Sequence, residues 1–183
     1  MTRLVLQMGI SIDGFVAATD GSQPWLGEPE DDAAKQWKLQ TVRGAEAHLM
    51  GRVTYQDMAA HWPGSDSEYA APMNDIPKVV FSKTLQTAEW PESRIARGDL
   101  VEEIERIKAQ PGGYAIAYGG AGFARALIRR GLVDEYRLNI QPAALGEGMA
   151  IFTELPKPLH LELVEARAFS GGNAGHVYVP RTP

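Results

Sequence analysis

Tyr114-Ala115-Ile116-Ala117-Tyr118-Gly119-Gly120-Ala121-Gly122, continuing into Phe123-Ala124-Arg125-Ala126-Leu127-Ile128-Arg129-Arg130, is the stretch from which the fold is read. A short apolar run halts on two adjacent glycines and resumes with apolar residues at helical spacing. That pattern is a buried strand, a tight turn and a helix N-terminus. Glycine at such a turn lets backbone N–H groups approach a phosphate, and the helix dipole favours the negative charge. The same glycine pair also serves as a plain turn, so both readings stand at this point.

Working outward, strands and helices alternate. Residues 3–10 read as a strand and 11–28 as loop, with Asp13-Gly14, Asp20-Gly21 and Pro24 as turn signals. The spacing of Ala33, Ala34, Trp37, Thr41 and Val42 predicts a helix over 30–43, and Glu30, Asp31 and Asp32 load its first turn with the negative charge its dipole prefers. A short strand over 45–50, a short helix over 53–58, a polar loop over 61–74 and a strand over 78–82 follow. Leu100, Ile104 and Ile107 predict a helix over 99–109 with Asp99 as its cap. Beyond the glycine turn and the helix at 121–130 the character changes. Strands at 135–140, 159–168 and 176–179 appear, the last two joined through Ser170-Gly171-Gly172-Asn173 as a hairpin. The expectation is one α/β domain over 1–183: a mainly parallel central sheet with an antiparallel C-terminal hairpin and helices on both faces.

The composition narrows the function. The chain has 183 residues, a formal net charge of −5 and no cysteine. The length suits one domain with a real core. No dense basic run points to nucleic acid, and no apolar stretch reaches the length of a membrane span. Disulfides, thiolate metal sites and cysteine nucleophiles are excluded. The opening run Leu4–Ile10 reads as a strand rather than a signal peptide, so a cytoplasmic location is expected. His48, His61, His160 and His176 lie in different elements without ligand spacing, and no metal site is expected.

In a parallel sheet ligands sit at the carboxyl ends of the strands. That rim collects Met50-Gly51-Arg52, Ser82-Lys83 and Gly119-Gly120. Gly51, Arg52 and Thr54 supply an amide, a guanidinium fork and a hydroxyl suited to phosphate oxygens, or else a glycine turn with a surface arginine and a cap. Ser82 and Lys83 add a second phosphate contact or a solvated loop. Neither G-x-G-x-x-G nor a P-loop is present. The acidic trio is a dipole-matched helix start or a carboxylate at the floor of a cleft. Trp25 and Trp37, which flank it, are core or an apolar wall against a flat ring.

Several stretches together resemble the dihydrofolate reductase superfamily, in the branch of the riboflavin-biosynthesis reductase domain and its stand-alone bacterial relatives. They are Ser11-Ile12-Asp13-Gly14-Phe15-Val16-Ala17, Met50-Gly51-Arg52-Val53-Thr54-Tyr55, Val79-Val80-Phe81-Ser82, Tyr118-Gly119-Gly120-Ala121-Gly122, Gly131-Leu132-Val133-Asp134-Glu135, and Gln141-Pro142-Ala143-Ala144-Leu145-Gly146-Glu147-Gly148 followed by Phe152. The resemblance implies an NADPH-dependent reductase of a small heterocycle, pteridine- or pyrimidine-like. The alternatives it leaves are a riboflavin-type uracil reductase and a non-catalytic nucleotide-binding module. It assigns Gly51, Arg52 and Thr54 to the adenosine-side phosphates, Ser82 and Lys83 to the 2′-phosphate, and Tyr118, Gly119, Gly120, Ala121 and Gly122 to the pyrophosphate, with a cis bond between the two glycines frequent in the family. Ala17 would line the nicotinamide side and the loop from Ile12 to Gly27 would act as a lid. Pro24-Trp25 and Pro29-Glu30-Asp31 match the folate reductases in part, which makes Asp31 the candidate proton donor and Asp32 the runner-up. A homodimer is also implied.

Overall fold

The protein is described by a computed structural model that covers residues 1–26 and 31–181. Strand β1 (Arg3–Ser11) is the centre of an eight-stranded sheet. The chain then forms β2 (Phe15–Ala17), helix α1 (Asp32–Arg43), β3 (Ala47–Gly51), α2 (Arg52–His61), a 3₁₀ turn (Trp62–Gly64) and α3 (Ala70–Asp75). It continues through β4 (Lys78–Phe81), β5 (Ser93–Ala96), α4 (Leu100–Lys108), β6 (Tyr114–Ala117), α5 (Ala121–Arg129) and β7 (Glu135–Gln141), and closes with β8 (Met149–Ala150), β9 (Leu161–Ala168) and β10 (Ala174–Pro180). The sheet order is β5-β4-β3-β6-β1-β7-β10-β9, parallel from β5 to β7, with β10 and β9 antiparallel. β2 and β8 form a separate two-stranded ribbon.

Strand alternation sorts the two cores. Leu4, Leu6, Met8 and Ile10 of β1 point to the face carrying Ile104, Ile107, Ala124, Leu127 and Ile128 of α4 and α5. The other face packs Met50, Val80 and Ile116 against Val42, Tyr55 and Met73 of α1, α2 and α3. The right-handedness of parallel crossovers accounts for this division: connections running toward β5 place their helices on one face, and the returning connections place theirs on the other. The expected three-layer α/β fold is therefore observed.

Most differences from the sequence reading lie at short elements. The expected loop over 61–74 contains the 3₁₀ turn and α3, whose Met73 is buried. β2, β5 and β8 hold two to four residues each, too few to show a period. Helix α2 extends to His61, past the expected end. Glu30 and Pro29 of the acidic motif, and the lid's end at Gly27, lie outside the described residues.

β3 and β6 are neighbours, yet the chain leaves β3 into α2 on one face and β6 into α5 on the other. Their exits diverge, and a crevice opens between the strand ends.

Candidate functional site

Two helix N-termini converge on that crevice, and neither is closed by a side chain. Gly51 caps α2 and Gly120 caps α5, both without a side-chain hydrogen bond. The first backbone N–H groups of a helix have no partner within it, so these two ends present donors together with the positive end of the dipole. Gly120 has φ 58° and ψ 111°, a conformation that requires glycine. A β-carbon there would also lie 3.2 Å from Thr54 Oγ1. Thr54 Oγ1 donates to the Gly119 carbonyl at 2.8 Å and ties the first turn of α2 to the glycine turn. A β-carbon at Gly122 would meet nothing within 4 Å beyond its own helix backbone and chain neighbours. Phe81 and Phe123, with ring centroids 5.0 Å apart, pack behind this glycine cradle.

Around this cradle the anticipated residues divide. Arg52 is exposed on the first turn of α2, and its Nη1 donates to Gln56 Oε1 at 2.9 Å. Ser82 Oγ accepts from the Thr84 and Leu85 N–H groups at 3.2 and 2.9 Å, shaping its own turn, and Lys83 is exposed beside it. Tyr118 contributes backbone alone, because its side chain is buried and its hydroxyl lies 3.1 Å from His48 Nδ1. His48 Nε2 lies 2.9 Å from the Pro72 carbonyl, an obligate acceptor. Nε2 therefore carries the proton and Nδ1 accepts from Tyr118. Burial lowers the His48 pKa to about 4 and pushes the Tyr118 hydroxyl well up. The Gly119–Gly120 bond is trans, as is every peptide bond among the described residues, which corrects the expected cis bond.

The rim over β1, β7 and β10 is built differently. Asp31 caps α1, accepting from Ala33 N at 2.7 Å and Ala34 N at 3.1 Å. It also accepts from the Ser170 N–H at 3.2 Å and from the Ser170 hydroxyl. The Ser170 hydroxyl, then the helix N–H groups, hold its carboxyl below the usual range. Its geometry is that of a helix cap. Asp32 is exposed on the first turn. Asp13 repeats the arrangement across the rim, accepting from Ser11 Oγ and from the N–H groups of Leu145 and Gly146 at 2.9 and 2.7 Å. These bonds, Ser11 first, lower its pKa as well.

The two tryptophans separate. Trp37 is buried against Phe169 and donates from Nε1 to Glu165 Oε1 at 2.9 Å. It packs α1 on β10 rather than walling a cleft, as a β-carbon at Gly175 would come within 3.0 Å of its ring. Trp25 is half-buried, and a β-carbon at Gly9 would lie 3.1 Å from its Nε1. Its indole thus covers the gap that Gly9 leaves in β1. Ala17 is buried in β2, where its carbonyl would collide with any side chain at Gly148. Sequence reasoning passed over Asp13 as an anchor, and over Gln7, although a glutamine inside an apolar strand is itself a signal.

Comparison with known proteins agrees with this fold. The family model of the RibD C-terminal domain matches residues 2–174. The uncharacterized protein YyaP of Bacillus subtilis is 29% identical over 182 residues, covering 96% of this chain and 94% of that protein. The riboflavin biosynthesis protein RibD of Corynebacterium ammoniagenes is 24% identical over 159 residues, covering 81% of this chain but 45% of that protein. Among solved structures, a Shewanella sp. PV-4 protein ascribed to riboflavin biosynthesis superposes with a TM-score of 0.81 at 19% identity, over 99% of this chain and 100% of that one. A diaminohydroxyphosphoribosylaminopyrimidine deaminase/5-amino-6-(5-phosphoribosylamino)uracil reductase of Thermotoga maritima gives 0.69 at 16% identity, over 98% of this chain and 57% of that one.

Proposed function

The chain belongs to the RibD C-terminal domain family, whose structural neighbours are reductase-like proteins with the dihydrofolate-reductase-like fold, and we propose that it is an NADPH-dependent reductase of a small heterocycle. The observation that carries this reading is the pair of glycine-capped helix ends meeting at the β3–β6 crevice. Gly122 leaves open space beside the backbone donors at the start of α5, where a pyrophosphate would sit. Arg52 and Lys83 supply positive charge at the same rim for a further phosphate.

When bound, NADPH supplies a hydride to the carbon of a C=N or C=O bond and leaves as NADP⁺. The chain's own part is to bind and orient. The amides of Ala121 and Gly122 would hold the pyrophosphate, Thr54 holds the glycine turn in register, and Asp13 ties its loop to Leu145. With Asp31 ionised as a cap, the accompanying proton comes from water at the open rim.

The test compares NADPH with NADH by calorimetry. NADPH binds more tightly, and Arg52→Ala weakens NADPH by about 10- to 100-fold while sparing NADH, because the lost contact is charge-assisted and worth about 1.5–3 kcal/mol. Equal affinity for the two nucleotides removes the phosphate assignment. The reading includes a cytoplasmic homodimer; sedimentation tests the assembly, with the exposed Leu163 and Val164 of edge strand β9 as its surface.

A further inference from the structure

We propose that Arg97, at the outer end of the rim, separates NADPH from NADH by reading the 2′-phosphate together with Arg52. The inference rests on the reductase reading and adds to it a specificity residue that lies outside every motif of the resemblance.

The sheet register puts Arg97 there. Gly51 of β3 stands opposite Phe81 of β4, and Phe81 stands opposite Ala96 of β5. Arg52, Ser82 and Arg97 are therefore the next residues on three neighbouring strands, and they leave the sheet at one level. The Ser82 N–H donates to the Ala96 carbonyl at 3.3 Å and carries the pairing up to that level. β3 and β5 lie about 10 Å apart, two strand spacings, so the two arginines flank the Ser82-Lys83 turn. The glycine turn assigned to the pyrophosphate follows β6, on the other side of β3. A dinucleotide anchored at that turn would extend toward β1 at one end and toward β4 and β5 at the other.

Charge singles this corner out. The chain has a formal net charge of −5, yet Arg52, Lys83 and Arg97 have no carboxylate partner among the described residues. Arg94, earlier on the same strand, is paired with Glu103 at 3.5 Å, and Arg106 is paired with Glu102 and Glu103 at 3.1 and 2.7 Å. Arg97 is exposed, and its Nη2 donates to the Gln86 carbonyl at 3.1 Å. Arg52 is likewise held on a neutral oxygen, Gln56 Oε1. Each guanidinium is oriented by one bond and keeps further N–H donors for a ligand.

No open helix start serves this corner. Asp99 caps α4, accepting from the Val101 and Glu102 N–H groups at 2.9 and 3.3 Å, so a phosphate here has to be met by side chains. Ser82 Oγ accepts from Thr84 and Leu85 and still has its own O–H to donate. Two guanidinium forks and a hydroxyl suit a phosphate monoester. NADH offers only a ribose hydroxyl at the same place, and a neutral hydroxyl gains little from a cation.

The test measures NADPH and NADH affinities of the full chain by calorimetry, with 2′-phospho-ADP-ribose and ADP-ribose as a second pair that lacks the nicotinamide. In the unmodified protein the 2′-phosphorylated member of each pair binds more tightly. Arg97→Ala should weaken that member about tenfold, change the other less than about twofold, and leave Tm unchanged; Arg97→Lys should recover part of the loss. Arg94→Ala removes the same charge from the same strand and should leave every affinity as it was. The proposal is overturned if Arg97→Ala leaves the NADPH-to-NADH ratio intact, if it weakens both nucleotides alike with a lowered Tm, or if Arg94→Ala shifts the ratio as far. A ratio that responds to Arg52→Ala and not to Arg97→Ala sinks this assignment alone. Equal binding of NADPH and NADH by the unmodified protein counts against the reductase reading and takes this assignment with it.

Discussion

Helices α1 and α5 both begin at the carboxyl edge of the sheet, and they treat that position in opposite ways. At α1 the cap is Asp31, whose carboxylate takes the first N–H groups for itself. At α5 the cap is Gly120, which has nothing to offer them and leaves them facing the crevice. α4 and α2 repeat the contrast, with Asp99 capping the one and Gly51 beginning the other. A filled N-terminus stabilises its own helix; an open one forgoes that stabilisation and keeps a site for an anion from outside. One sheet edge thereby carries open helix starts beside filled ones without any change in backbone architecture.

Converting one half into the other has the largest expected effect. Gly51 has φ −79° and ψ 169°, the extended geometry an aspartate cap uses, and a β-carbon there makes an ordinary contact with Phe123 at 3.4 Å. Gly51→Asp should hold or raise Tm while weakening NADPH on the order of 100-fold, read by thermal unfolding and calorimetry. If affinity survives, the open N-terminus of α2 is not where the phosphate sits.

Acid should undo the support of the open half. The His48 pKa falls from 6.5 to about 4 in the folded protein. The unfolded chain therefore takes up a proton that the folded chain refuses as pH drops through that window. The stabilisation is complete above pH 6.5 and is lost progressively down to about pH 4, amounting to about 3 kcal/mol. Urea unfolding at a series of pH values checks this, and His48→Gln, which keeps a donor for Pro72 and an acceptor for Tyr118, should flatten the acid limb.

Smaller still is Gly120→Ala, which forces a side chain into a left-handed conformation beside Thr54. It should cost about 1–3 kcal/mol of stability and lower NADPH affinity together with it. The least effect is expected on the filled half. Asn caps a helix as well as Asp does, so Asp31→Asn should keep turnover within about threefold of the unmodified protein. A much larger loss of kcat with an altered pH profile would return Asp31 to the chemistry.

Much of this was legible before any coordinates. The strand-turn-helix at 114–130, the Asp99 cap and the glycines at both rim positions follow from patterns a few residues long. The roles of the two tryptophans were not, because nothing in Pro24-Trp25 or in the helical spacing of Trp37 says which ring meets Gly9 and which is shut between α1 and β10. Tyr118 likewise looks like part of the glycine motif until alternation turns its side chain into the core.

Periodicity, caps and turn residues are set by neighbours along the chain, and from them this protein's longer elements, their order and its glycine rim were already determined. The division of that rim arose in folding. Thr54 meets Gly119 across 65 residues, Asp13 meets Leu145 across 132, and Asp31 meets Ser170 across 139. Hydrogen bonds of that reach depend on where the sheet brings two distant segments, which no local pattern encodes.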